Sequence, residues 1–318
     1  MNRPLVTVLM PARNTARYIG EAIASVLKQS FTDFELLIIN DGSTDNTVEI
    51  IAGFNDPRIR VFYQPPAGIA AALNKGLQLA KGELVARFDS DDICFPQRLE
   101  KQAAFLQSNP GYVLTGSDAE YITETGEHLF NFKCTGHTHE EIMQQLEVYC
   151  PFIHSSVMYR RMPVVSAGGY SPHAHQFEDY LLWVRLQHAG KYHNIPEPLL
   201  QVRFNTQSVT IDEKWRSRKF RRTKKEIIRH GFITEPEGKI LKAELMKQDH
   251  PRIKAGAYEA LCGKKFLLDN YKPAMARHHL GRAIRLFPLR ADNYALYMLS
   301  FCPSRLLRWL HKQSPNKI

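Results

Sequence analysis

The sequence predicts an α/β fold: a mostly parallel sheet flanked by helices, followed by a C-terminal helical region. Three observations predict it. Short apolar runs of strand length alternate with helical periodicity from Leu5 to Phe88, the pattern of a parallel sheet covered on both faces. Polar and acidic residues follow the ends of those runs, where ligands sit in such sheets. The charge is divided: residues 1–210 hold 17 Lys and Arg against 22 Asp and Glu, a net of −5, whereas residues 211–318 hold 25 against 10, a net of +15.

The first apolar run covers residues 5–10 and is stopped by Pro11. Thr15 is placed to cap a helix carrying Ile19, Ala22, Ile23, Val26 and Leu27 at helical spacing. Residues 35–39 form a second strand that runs into Asn40-Asp41-Gly42-Ser43-Thr44-Asp45, where Gly42 permits a tight turn and Ser43 or Thr44 can cap a helix through Ile51. A strand over 59–62, a helix over 67–80 and a strand over 83–88 continue the alternation. From Pro96 a helix carries Leu99, Ala103 and Leu106, and strands resume at 112–115. Residues 118–132 read as a hairpin turning at Thr125-Gly126, and 151–159 as a loop entering a strand. Beyond the flexible Gly168-Gly169, a helix begins near Phe177 and carries Leu182, Leu186 and Ala189 on one stripe.

The segment Val85-Ala86-Arg87-Phe88-Asp89-Ser90-Asp91-Asp92 ends an apolar strand in three carboxylates. In extended backbone Asp89 and Asp91 share a face, so two hard oxygen donors converge. Their mutual repulsion suits a divalent cation, and the natural passenger of that cation is a diphosphate. Capping of the helix near Pro96 by Asp91 or Asp92 is the alternative. Arg13, Asp41 and Asp89 each follow a predicted strand end and would meet along one rim. Asp41 could accept from a base or ribose there, or simply serve the turn beside Gly42. Glu178 and Asp179 occupy the first turn of their helix, where the dipole favours acids. A carboxylate there could also act as a general base toward an acceptor hydroxyl.

Four motifs, Met10-Pro11-Ala12-Arg13-Asn14, Asn40 to Asp45, Ala86 to Asp92, and Glu178-Asp179-Tyr180 through Trp183, together resemble the family 2 glycosyltransferases of the GT-A (Rossmann-like) fold. Within that family the resemblance is to bacterial enzymes of surface polysaccharide synthesis, and it covers residues 4–212. It implies that Asp41 contacts the nucleoside base with Pro11 nearby, that Asp89 lies near the ribose, and that Asp91 holds Mn2+ or Mg2+ on the diphosphate. It also implies Asp179 as base, supported by Glu178, in an inverting transfer. Arg13, Lys75, Arg87 and Arg203 complete the expected nucleotide-binding set. Two positions depart from the family pattern: Asn205 stands where a histidine often follows Arg203, and Leu73 where many relatives carry arginine. Lys75 or Arg87 is then the source of the missing positive charge.

The expected organisation is a catalytic domain over 1–212 and a basic helical region over 213–318. Residues 214–230 contain Lys214, Arg216, Arg218, Lys219, Arg221, Arg222, Lys224, Lys225 and Arg229, a nearly single-signed run suited to anionic lipid. Nucleic acid is not expected, because no zinc, helix-turn-helix or RNA-reading motif accompanies it. Residues 257–268 and 273–287 read as a helical hairpin, with Ala276, Ala283 and Pro288 spaced as in a tetratricopeptide unit. The end, with Leu306, Leu307, Trp309 and Leu310, reads either as core or as an interfacial helix. Five cysteines without metal-like spacing and no apolar run of membrane-spanning length suggest a cytoplasmic protein, peripheral on the inner face of the cell membrane. The expected function is transfer of a sugar from a nucleotide-diphosphate donor, by default a UDP-sugar, to a hydroxyl of a lipid-linked or polysaccharide acceptor. The competing expectations are a sugar nucleotidyltransferase and a non-catalytic nucleotide-sugar-binding subunit.

Overall fold

The structure is a computed structural model that describes residues 3–206, 208, 216–248, 250–303, 305, 307 and 308. Compactness divides the chain into one unit of residues 1–119, 132–202 and 222–242 and another of 120–131, 203–221 and 243–318. Each unit draws on segments from both sides of residue 212.

The strands are β1 (Val6–Ala12), β2 (Phe34–Asp41), β3 (Ile59–Gln64), β4 (Leu84–Arg87), β5 (Ile93–Cys94), β6 (Tyr112–Ile122), β7 (His128–Phe132), β8 (Met158–Arg160) and β9 (Lys191–Arg203). Their order is β3-β2-β1-β4-β8-β6-β9-β5, with β7 beside β6. The four strands β3-β2-β1-β4 are parallel, as the alternation with helices requires. β8 then runs antiparallel to both β4 and β6. In register, Leu9 lies opposite Arg87 and Ala12 opposite Asn40, so the C-terminal ends of β1, β2 and β4 share one rim. Every residue of β1 and β2 is buried, which is why these strands read as largely apolar runs; their buried polar pair, Thr7 and Glu35, is joined by the Thr7 hydroxyl donating to Glu35 Oε1 at 2.7 Å.

The helices that precede β9 are α1 (Ile19–Leu27), α2 (Thr47–Ala52), α3 (Ile69–Leu79), α4 (Arg98–Ser108), α5 (His139–Gln145), α6 (Arg161–Ser166) and α7 (Glu178–Leu186). Two expected caps act differently. The Thr15 carbonyl, not its hydroxyl, accepts from the Tyr18 and Ile19 N–H groups, both at 2.9 Å. α2 is entered through Asp45, whose carboxylate accepts from the Thr47 N–H at 3.1 Å. One residue past its strand, Gly42 takes φ +68°, and a Cβ there would lie 2.5 Å from the Pro66 ring.

The later helices are α8 (Arg218–His230), α9 (Glu235–Gln248), α10 (Pro251–Leu268), α11 (Pro273–Leu286) and α12 (Ala291–Leu299). α8 buries Phe220, Ile227 and Ile228 and exposes Arg218, Lys219, Arg221, Arg222, Lys225 and Arg229. Its charge is thus the outer face of a packed amphipathic helix. In the second unit α10 and α11 form the expected hairpin. They approach closely because Gly256 and Gly263 leave the space that Phe287 and Leu280 fill; a Cβ would stand 2.2 and 2.6 Å from those side chains. The core of this unit joins Tyr258, Phe266, Leu267, Leu280 and Leu307. Leu307 is therefore a core residue, whereas Leu306, Trp309, Leu310 and Lys214 lie outside the described residues.

Candidate functional site

The C-terminal rim of the parallel strands is built first by Asp41, the last residue of β2. Its Oδ1 accepts from Gln64 Nε2 at 2.7 Å and from the Ala67 N–H at 2.8 Å, and its Oδ2 from the Gly68 N–H at 2.8 Å. Gly68 is the N-cap of α3, so Asp41 clasps the entry to that helix across the sheet. An ionised carboxylate offers about four acceptor positions, and these bonds take three. Asp41 therefore ties the 64–68 segment to the end of β2, and one acceptor position faces the rim beyond these three bonds. Beside it Pro11 is buried in β1 opposite Ile39, and Arg13 is exposed just beyond the strand.

β4 ends at Arg87, and the next residues leave the sheet in a turn closed by the Asp92 N–H donating to the Asp89 carbonyl at 3.4 Å. The turn, rather than strand alternation, gathers the acids, and it gathers three. Carboxylate oxygens of Asp89, Asp91 and Asp92 all lie within 4.8 Å of one another. Asp92 was not among the expected ligands. Neither Asp91 nor Asp92 caps α4, which begins at Arg98 behind Gln97. Three hard oxygen donors so placed fit a divalent cation such as Mg2+ or Mn2+.

The turn rests on two buried arginines. Arg87 donates through Nη1 to the Asp89 carboxylate. Burial opposes the Arg87 charge, and Asp89 more than restores it, so the guanidinium is held cationic. Arg98 donates from Nη2 to the carbonyls of Arg87 at 2.7 Å and Val157 at 3.3 Å, and from Nε to Gln102 at 3.1 Å. The Asp89 N–H in turn donates to Ser155 Oγ at 3.0 Å. Sequence reasoning missed Arg98 and Ser155. The signal for Arg98 was its place on the apolar stripe of α4 with Leu99, Ala103 and Leu106.

Glu178 and Asp179 open α7 and share the field of Arg87. Burial pushes the Glu178 carboxyl well up, Asp179 and Asp89 push it further, and Arg87 opposes them. Burial also raises Asp179, against the Tyr180 N–H, Lys224 and Arg87, which favour the anion. Asp179 is half-buried, and Cys150 Sγ lies 4.0 Å from its Oδ2. Lys224 places Nζ 5.7 Å from the Phe177 ring centre and 5.6 Å from that of Tyr180, the two residues that bracket the carboxylate pair. Beneath lies an aromatic group in which Trp183 packs on Phe152, His154, Tyr159 and Tyr170 at 6.0 to 6.4 Å between centroids. Burial and then Arg87 keep His154 neutral.

Two further expected residues have partners of their own. Lys75 lies with Nζ 4.7 Å from the Phe62 ring centre, on the α3–β3 side of the sheet. Arg203 belongs to the second unit, where its Nη1 donates to the carbonyl of Glu124 at 3.2 Å.

Residues 7–165 match the model of glycosyl transferase family 2. The amylovoran biosynthesis glycosyltransferase AmsE of Erwinia amylovora is 31% identical over 199 residues, which cover 61% of this chain and 74% of AmsE. An uncharacterized glycosyltransferase of Haemophilus influenzae is 30% identical over 315 residues, covering 92% of this chain and 95% of its own. Among solved structures, S. aureus TarS 1-349 in complex with UDP-GlcNAc aligns over 97% of this chain and 91% of its own at 16% identity, with a TM-score of 0.55. The mannosyltransferase PcManGT of Pyrobaculum calidifontis, in complex with GDP-Man and Mn2+, aligns over 98% and 88% at 18% identity, with a TM-score of 0.52. The likeness to these two structures is one of fold.

Proposed function

Because the chain belongs to glycosyl transferase family 2, we propose that it is an inverting, metal-dependent hexosyltransferase of bacterial cell-surface glycan synthesis. Its donor is a nucleoside diphosphate sugar, with a UDP-sugar as first choice, and its acceptor a hydroxyl of a lipid-linked or polysaccharide glycan at an anionic membrane surface. The observation that carries this reading is the meeting of the acidic turn with the Glu178 and Asp179 pair around Arg87, at the carboxyl rim of parallel strands. The amylovoran role in the name of AmsE supports the glycan class, and the ligands of TarS and PcManGT support the donor class.

In this reading the acceptor position left on Asp41 takes a base N–H, with Pro11 and Arg13 beside it, and Lys75 of α3 and Arg203 contribute positive charge to the nucleotide. Asp89, Asp91 and Asp92 would hold Mn2+ or Mg2+, whose charge offsets that of the diphosphate leaving group when bound. Asp179 takes the proton of the acceptor hydroxyl. The acceptor oxygen attacks the anomeric carbon from the face opposite the diphosphate, the bond from that carbon to the diphosphate oxygen breaks, and its electron pair leaves with the nucleotide. Inversion follows from that single displacement. Glu178, protonated more readily than an ordinary carboxyl, limits the negative charge beside Asp179, and Lys224 favours the Asp179 anion. Arg98 keeps the acidic turn in register with β4.

A thermal-shift screen of UDP-, GDP- and dTDP-sugars, each with and without Mn2+, tests the proposal, since ligands of the native state raise its melting temperature. Stabilisation by one nucleotide class only when Mn2+ is present is the expected result. No stabilisation by any donor, or equal stabilisation without the cation, would overturn it.

A further inference from the structure

We infer that the outer face of α12 is a docking surface for an anionic lipid bilayer. α12 carries large apolar side chains on its outer as well as its inner side. Leu296, Tyr297 and Leu299 pack inward against the core that includes Tyr258, Phe266 and Leu280. On the opposite side, at positions i, i+4 and i+7, Tyr294 is 43% exposed, Met298 67% and Phe301, just past the helix, 60%. Leu289, immediately before the helix, is 97% exposed. A helix on the surface of a water-soluble protein turns one apolar stripe inward and carries charge on the other side. Asp292 is the one charged residue of α12. Large apolar side chains gathered on an outer face mark an interaction surface.

The charge around the stripe identifies the occupant. From Lys272 to Arg308 the chain holds seven Lys and Arg and one acid, Asp292. Arg285, Arg305 and Arg308 are exposed. Arg277 stands 4.9 Å from the Phe301 ring centre, placing a cation beside the apolar stripe. A second copy of the chain would bring this positive collar against itself, a juxtaposition that like charges disfavour. Anionic headgroups complement it, while Tyr, Met, Phe and Leu side chains enter the boundary between headgroups and acyl chains. This face is additional to the basic run and the chain end that the sequence suggests, in which two residues have inward roles. Lys224 is turned toward the α7 carboxylates, and Leu307 is core.

This inference deepens the membrane placement proposed above and rests on it for the class of partner. Its test needs neither donor nor acceptor, so docking and sugar transfer can fail separately. The full chain is floated with phosphatidylcholine vesicles with and without phosphatidylglycerol, at low and high salt, alongside Met298→Ser/Phe301→Ser and Arg285→Gln/Arg305→Gln. Melting temperatures confirm that both variants, altered only at exposed positions, keep the fold. The wild type should float with the anionic vesicles and not with phosphatidylcholine alone. Each basic side chain near an anionic surface strengthens partitioning about fivefold, so the arginine variant should bind roughly 25-fold more weakly at low salt. That gap should narrow at high salt, where the Debye length falls to about 3 Å. The serine variant should be lost from the vesicles at both salts. Equal flotation of wild type and serine variant, indifference to lipid charge, or a dimer in sedimentation that the serine variant abolishes without vesicle binding by the wild type would each overturn the inference.

Discussion

Replacing Asp41 with asparagine tests whether this residue holds the rim together as well as facing the ligand. The carboxylate accepts from Gln64 Nε2 and the Ala67 N–H on one oxygen and from the Gly68 N–H on the other, at 2.7 to 2.8 Å. An asparagine keeps one acceptor oxygen. If that oxygen serves Gln64 and Ala67, the amide NH2 faces the Gly68 N–H; if it is flipped, the NH2 faces the other two donors. Either orientation sets donor against donor at a nearly buried position. A hydrogen bond to a charged acceptor contributes about 1.5–3 kcal/mol, and leaving a buried donor unmet costs about 1–3 kcal/mol. Because the two overlap, the expected loss is about 2–4 kcal/mol. At about 2–4 °C per kcal/mol for a chain of this order of size, the melting temperature should fall by roughly 5–15 °C. Differential scanning calorimetry reads it directly. An unchanged melting temperature with impaired nucleotide binding would mean that Asp41 does not clasp α3, and the account of the rim would be wrong.

Three further outcomes follow from the α7 carboxylates. Asp179→Asn should lower turnover about 100- to 10,000-fold with donor affinity nearly unchanged, and a parallel collapse of affinity in equilibrium binding would assign Asp179 to substrate or structure. Lys224→Met removes a cation that favours the Asp179 anion, so the acid limb of the turnover–pH profile should move to higher pH; Lys224→Arg should leave it in place, and coincident profiles for wild type and Lys224→Met would refute the role. Burial raises the Glu178 carboxyl above its unfolded value, so the native state binds the proton more tightly. Stability linked to Glu178 is therefore fully present below the unfolded pKa and is lost as pH rises through the folded one. Glu178→Gln, which stays neutral, should accordingly melt higher than wild type in alkaline buffer and close to it in acid. A gap that widens toward acid would reverse the assignment.

Much of this site is legible in the sequence because its residues follow the ends of buried strands. β1, β2 and β4 read as apolar runs, so Pro11 and Asp41 at the ends of two of them and the acids just past the third fall on one rim. What was hidden was hidden for specific reasons. Strand alternation pairs Asp89 with Asp91, but the chain leaves the sheet after Arg87, and the turn brings in Asp92 as well. Lys224 is masked by the basic run around it. It nevertheless stands at the centre of the stripe Phe220, Ile227 and Ile228, and a charge on a buried stripe is the signal that was available. Arg98 was concealed in the same way, as a guanidinium on a largely apolar helix face whose partners include carbonyls distant in sequence. The hairpin of α10 and α11 was readable from periodicity. The outward stripe of α12 was not, since period alone does not tell an inward apolar face from an outward one.

The central claim is that the turn bearing Asp89, Asp91 and Asp92 holds a divalent cation on a nucleoside diphosphate. Isothermal titration of UDP and GDP into the wild type and Asp91→Asn, each with Mn2+ and with chelator, measures it without an acceptor. One nucleotide should bind the wild type only with Mn2+, and Asp91→Asn should lose that binding while melting at the wild-type temperature. Binding of equal strength in chelator, or undiminished binding by Asp91→Asn in Mn2+, would contradict it.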